Sequence, residues 1–133
     1  MIFVDTNYFL RFLVDNGSEQ YQNSSDLISQ ATRGDIELST DIIVIFEIYW
    51  VLGNVYEYNE TQIKSALLQI CSFDFLTIIE KPILLKAISN IENFNGDLED
   101  SYHYFFCQSQ KISNIATFDK KFANKFKSLK ISN

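Results

Sequence analysis

The sequence predicts an α/β fold of three layers, α/β/α: a central parallel sheet of four or five strands between two layers of helices. Three observations carry this. Short apolar runs, partly β-branched, end abruptly in polar residues, as buried strands do. Longer segments with helical apolar spacing alternate with those runs. The 133 residues hold one Pro and four Gly and no linker, so residues 1–133 read as a single domain.

The first run, Ile2-Phe3-Val4, gives way at once to Asp5-Thr6-Asn7. A short helix over 7–14 follows, stopping near Asn16-Gly17. Ser18 is placed to cap a second helix reaching about residue 33, with Gly34 beyond its end. Residues 36–39 read as the second strand, and Thr40 or Asp41 as the next cap. The third helix, 41–56, is apolar nearly all round, which predicts burial on most sides and a core role for Trp50. Glu47 is its only charge between Asp41 and Glu57. A buried carboxylate there needs a cation, a hydrogen-bond network or a raised pKa; otherwise it points outward. A fourth helix covers 61–71 and a third strand 75–79. Pro82 suits the first turn of a helix running to about residue 94, broken by Asn95-Gly96. A helix over 98–111, a loop at Ser113-Asn114, a strand over 115–117 and a helix over 120–126 follow. Residues 129–131 supply the optional fifth strand.

Apolar residues make up 47% and aromatics 15%, enough to fold around a core. No apolar run is long enough to span a bilayer, and the longest, 42–52, is interrupted by Glu47. The N-terminus lacks a basic stretch followed by a cleavable apolar one, which predicts a cytoplasmic protein without a secretion signal. Cys71 and Cys107 are then expected to be reduced, buried thiols. The net charge of −6 argues against general nucleic-acid binding. Six of the nine lysines nevertheless lie after residue 110, with Asp119 the one acid among them. Such a basic end suits a phosphate backbone, and equally a solvated helix face.

The chemistry-bearing residues are acids. Asp5 and Asp119 follow short apolar strands, Glu47 stands in an apolar helix, and Asp97 and Asp100 open the helix after Asn95-Gly96. In an open parallel sheet the strand ends and the following helix starts share one edge, so these acids are expected to converge. Each also fits a local role: Asp5 and Asp119 as helix caps, Asp97 and Asp100 as N-cap and N3. Carboxylates alone suit a hard cation, Mg²⁺ or Mn²⁺, which relieves their mutual repulsion. Zinc is disfavoured, because His103 is the single histidine and the cysteines lack ligand spacing. There is no Gly-rich phosphate loop, and no convincing base for a Ser or Cys nucleophile. A phosphatase with an Asp nucleophile would want a second Asp where Asn7 stands.

These residues, in this order, resemble the PIN-domain ribonucleases. Ile2 through Asn7 looks like the family's first strand, ending in a metal-binding Asp followed by Thr or Ser. Leu38-Ser39 through Glu47 to Leu52 is similar to its second strand and glutamate-bearing helix. Asp97-Leu98-Glu99-Asp100-Ser101-Tyr102-His103 resembles its acidic helix start, and Ile115-Ala116-Thr117-Phe118-Asp119-Lys120-Lys121-Phe122 its closing motif. The resemblance implies Asp5 and Asp100 as the most direct Mg²⁺ ligands, with Glu47 and Asp119 acting directly or through water. Asp97 is an extra ligand or only a cap. Thr6, Asn7 and Thr117 would orient the carboxylates, and Arg11, Lys120 and Lys121 would contact RNA phosphates. The chain's size resembles the VapC-type toxins, which implies a Mg²⁺-dependent endoribonuclease, homodimeric and paired with a cognate antitoxin. The chain departs from the family in Tyr104, Phe105 and Phe106, bulky where small residues are usual, and in having only Arg11 and Arg33 as arginines. Two alternatives stand beside this: an inert PIN-like interaction module, with Tyr49, Trp50, Tyr56 and Tyr58 available for an interface, and a metal-dependent phosphatase.

Overall fold

The computed structural model describes residues 1–14 and 17–129. The chain divides into two compact units, Met1–Lys81 and Pro82–Asn133. The class is α/β with a parallel sheet, and helices dominate it.

The first unit holds β1 (Ile2–Phe3), α1 (Thr6–Leu13), α2 (Glu19–Thr32), β2 (Leu38–Ser39), α3 (Ile42–Asn54), α4 (Glu60–Cys71) and β3 (Leu76–Thr77). The strands run parallel in the order β1-β2-β3. Ile2 stands beside Leu38 and Phe3 beside Ser39; Leu38 in turn faces Leu76, and Ser39 faces Thr77. Ser18 caps α2 as expected, and Asp41 rather than Thr40 caps α3; Asn59 with Gln62, which the sequence reading did not single out, forms a capping box on α4. Thr40 has a different role. Its hydroxyl donates to the Val4 carbonyl at 2.8 Å in a buried setting, while its amide donates to the Thr77 carbonyl at 3.1 Å. One residue thus ties the ends of all three strands. Lys81 closes the unit by donating from Nζ to the carbonyls of Phe73 and Leu76, at 3.0 and 2.9 Å.

Two expectations about burial need correction. β1 is an outer strand, and Ile2 and Phe3 are exposed; of the expected buried run only Val4 is buried. α3 is not buried on most sides. Val44, Ile45, Ile48 and Leu52 form its buried face, whereas Ile43 (65% exposed), Glu47 and Trp50 (59% exposed) lie on the opposite one. The spacing of those three, at i, i+4 and i+7, gives a solvent-facing stripe that composition alone hides.

The second unit contains α5 (Lys81–Ser89, whose first residue closes the first unit), a 3-10 turn (Ile91–Phe94), α6 (Leu98–Ser109) and α7 (Lys120–Ser128). The expected single helix from Pro82 to residue 94 is interrupted at Asn90. Its side chain donates back to the Lys86 carbonyl at 2.9 Å, a local bond that competes with helix continuation. Asn95 (φ +56°) and Gly96 (φ +84°) then adopt left-handed backbone and end the turn. The Ser101 hydroxyl donates to the Ala87 carbonyl at 2.7 Å, clipping α6 to α5. Tyr104 and Phe105 are buried in an aromatic cluster: Tyr104 packs against Phe94, Phe105 and Phe126 with ring centroids 5.1–5.8 Å apart. Of the three bulky residues that depart from the family pattern, Tyr104 and Phe105 are therefore core, while Phe106 is exposed.

The strand count also needs correction: the described residues form three strands, not four or five. Residues 115–117 make no ladder among the described residues; the Thr117 hydroxyl instead accepts from the Asp119 amide at 3.1 Å, a local turn bond. Residues 130–131 of the expected last strand, and Asn16 of the expected first helix stop, lie outside the described residues. Cys71 and Cys107 are free and buried, and burial pushes the Cys71 thiol up to about 12, against a smaller opposing effect of Lys81.

The Thr40 clip yields a test. Thr40→Val keeps the shape but leaves the buried Val4 carbonyl without a donor, which costs about 1–3 kcal/mol. Urea unfolding measures this; a loss below about 0.5 kcal/mol would show that the clip is dispensable.

Candidate active site

In the first unit the local chemistry is set by the turn from β1 into α1. Asp5 is the N-cap of α1, and its Oδ1 accepts from the Thr6 amide at 2.7 Å. Asp5 is exposed and Thr6 is buried. The Thr6 hydroxyl donates to Glu47 Oε2 at 3.0 Å, joining the start of α1 to the middle of α3. Glu47 is thus a solvent-facing carboxylate held by a hydroxyl, and not a buried one in need of a cation. Asn7 is exposed in the first turn of α1. Arg11 stands one turn later, half-buried in the last turn, where a cation favours the helix end.

In the second unit two helix starts present acids. Asp97 caps α6, accepting from the Asp100 amide at 3.0 Å; Asp119 caps α7, accepting from the Phe122 amide at 3.0 Å. Thr117 holds the backbone of Asp119 rather than its carboxylate. Asp97, Asp100 and Asp119 line one cavity of about 230 Å³, together with Lys121 and Lys125. Asp100 and Asp119 also line a second of about 450 Å³, together with His103, Phe106, Ile115 and Phe122. Lys120 is exposed in the first turn of α7.

Burial, followed by the charges of Asp97 and Asp119, pushes the Asp100 carboxyl above its ordinary range; His103 pulls it down and Glu99 adds a small further rise. Such crowding of oxygen donors fits a hard divalent cation, whose charge offsets the repulsion. Among the described residues, no group of three or more His, Cys, Asp or Glu side chains is placed to hold a metal ion.

Some residues of this region were not singled out by the sequence. His103 enters the sequence reading as the histidine too solitary for zinc, yet it is exposed and lines the larger cavity, with its ring edge-on to Phe122 at 6.2 Å between centroids. The signal was its spacing: Asp100, His103 and Cys107 stand at i, i+3 and i+7 on α6, one stripe of that helix. Thr40 carried no signal beyond its capping propensity.

Residues 2–127 match the PIN domain family. The chain belongs to it. The PIN family is the one whose ribonucleases the sequence motifs resemble, and one family match runs through both units. Among solved structures, this PIN domain is similar to the VapC20 toxin of Mycobacterium tuberculosis, described as cleaving the sarcin–ricin loop. The two share 14% identity over 93% of this chain and 94% of that one, with a TM-score of 0.44. No curated protein matches the chain. No helix among the described residues is long and apolar enough to cross a membrane.

The raised Asp100 has a stability consequence with a definite sign. An acid whose folded pKa is raised weakens the fold where it is ionised, and the cost fades as pH falls through that pKa. Because Asp100 is part-exposed, the effect is screened. Asp100→Asn should leave stability at pH 7 unchanged or raise it by roughly 0.5 kcal/mol or less, with the gain vanishing in the carboxylate range. Asp97→Ala should cost about 1 kcal/mol through the lost cap. Urea melts at pH 7 and at pH 4 test both.

Proposed function

We propose that this PIN domain is a Mg²⁺-dependent endoribonuclease that hydrolyses RNA phosphodiesters, with Mn²⁺ as an alternative ion. Family membership supports the reaction class. The observation that carries the reading is the crowding of Asp97 and Asp119 on Asp100 beside Lys121 and Lys125.

Asp5, Glu47, Asp100 and Asp119 are the carboxylates assigned to the metal. When bound, the ion supplies a water of lowered pKa and neutralises charge on the attacked phosphate. The chain's own residues prepare for this. Thr6 fixes the rotamer of Glu47, and Thr117 fixes the backbone that presents Asp119. Asp97 holds the first turn of α6, so that Asp100 is presented from a rigid helix start; it serves as a cap, with one oxygen left for an ion. Asn7, next to the Asp5-Thr6 pair, is assigned to orienting the carboxylates. Arg11, Lys120 and Lys121 are assigned to RNA phosphates. The products are a 5′-phosphate and a 3′-hydroxyl.

The wider role is the toxin of a type II toxin–antitoxin pair: one domain over residues 1–133, cytoplasmic, homodimeric and neutralised by a cognate antitoxin. The exposed Ile43, Trp50 and Val55 favour a second reading, an inert PIN module that works through a partner.

RNA cleavage with and without Mg²⁺ separates the two. Wild type should cut only with the metal, and Asp5→Asn and Asp100→Asn should lower the rate by roughly 100-fold or more. Equal activity in all samples, or none in any, removes the nuclease reading. Failure to bind Mg²⁺ or Mn²⁺ at roughly millimolar levels supports the inert module.

A further inference from the structure

Two of the cavities in the second unit share a wall. Asp100, Asp119 and Phe122 line both. Beyond them the linings differ. On one side stand the cations of Lys121 and Lys125. On the other stand the rings of His103 and Phe106 with the apolar Ile115. A single RNA strand carries the same alternation: an anionic backbone on one side, flat bases on the other.

We propose that the larger cavity, the one lined by His103 and Phe106, is a nucleobase pocket, taking one unstacked base of single-stranded RNA next to a phosphate drawn to Lys121 and Lys125. This rests on the nuclease reading for its substrate and adds a specificity element to it. The cavity, about 450 Å³, lies in the lower part of the range typical of ligand sites. Its walls suit a base. Phe106 is 39% exposed and lines this cavity, so its ring is open to a base. His103 adds a second exposed ring, held edge-on by the buried Phe122. The Thr117 hydroxyl is a polar group within the same lining and serves the edge of the base. Charge separates the occupants of these two: Lys121 and Lys125 line the smaller cavity and no lysine lines the larger one, so the backbone follows the cations and the base turns the other way. Stacking on aromatic rings is sequence-tolerant, so the pocket reads the presence of a base, with a preference set by its shape.

The test measures binding separately from cleavage. The full chain carrying Asp5→Asn, which slows cutting and leaves the pocket intact, is titrated in Mg²⁺ with a dye-labelled single-stranded ribo-hexamer. Parallel titrations use the hexamer with each position made abasic in turn. One abasic position should weaken binding about tenfold. Adding Phe106→Ala should weaken the intact hexamer by a similar factor and abolish the abasic penalty, while Phe106→Trp should keep it. His103→Ala, at an exposed site, provides a second truncation, and thermal melts confirm that each variant folds. An abasic penalty that survives Phe106→Ala and His103→Ala, no penalty at any position, or no RNA binding overturns the pocket. Cleavage of the same hexamer by wild type in Mg²⁺ reports on the nuclease reading by itself. Cutting without an abasic effect sinks only the pocket, and an abasic effect without cutting sinks only the nuclease.

Discussion

Three of the candidate acids are bound first to helix starts. Asp5, Asp97 and Asp119 each commit one oxygen to a backbone amide of α1, α6 or α7. That commitment fixes the rotamer without a metal, because the partner amide belongs to a rigid first turn. It also means that capping and ion binding are not rival explanations. A carboxylate has two oxygens, and a cap uses one. Asp100 differs: its amide is the one capped, and its carboxyl is left to the electrostatics of its neighbours.

Support for these positions comes from neutral groups. Thr40 secures the strand end just before Asp5, and Ser101 anchors α6 one residue after Asp100. Both hydroxyls are buried and bonded to backbone carbonyls, where a bond is worth more and its loss costs more. The aromatic cluster around Tyr104 does the same by packing, holding α6 and α7 together within the second unit.

Much of this was legible in the sequence, for identifiable reasons. Among the described residues, the three parallel strands and seven helices follow from apolar runs and cap residues, and Ser18, Asp41 and Asn95-Gly96 punctuate the chain where their chemistry predicts. The misreadings share one cause: local pattern says what a segment is able to form, and hydrogen bonds decide what it does form. Residues 115–117 have strand composition, yet the Thr117 hydroxyl bonds locally. Asn90 stops a helix that apolar spacing would continue. The apolar neighbours of Glu47 leave its burial open, because Ile43 and Trp50 share its exposed stripe and so do not mark the core. His103 and Phe106 became visible as cavity walls only once α6 had a face.

Trp50 is the chain's single tryptophan, and it stands 59% exposed on α3. An indole so placed already senses solvent in the native state. Its emission is then a poor optical reporter of global unfolding, but a sensitive one of anything that settles on that flank of α3 and shields the ring from water.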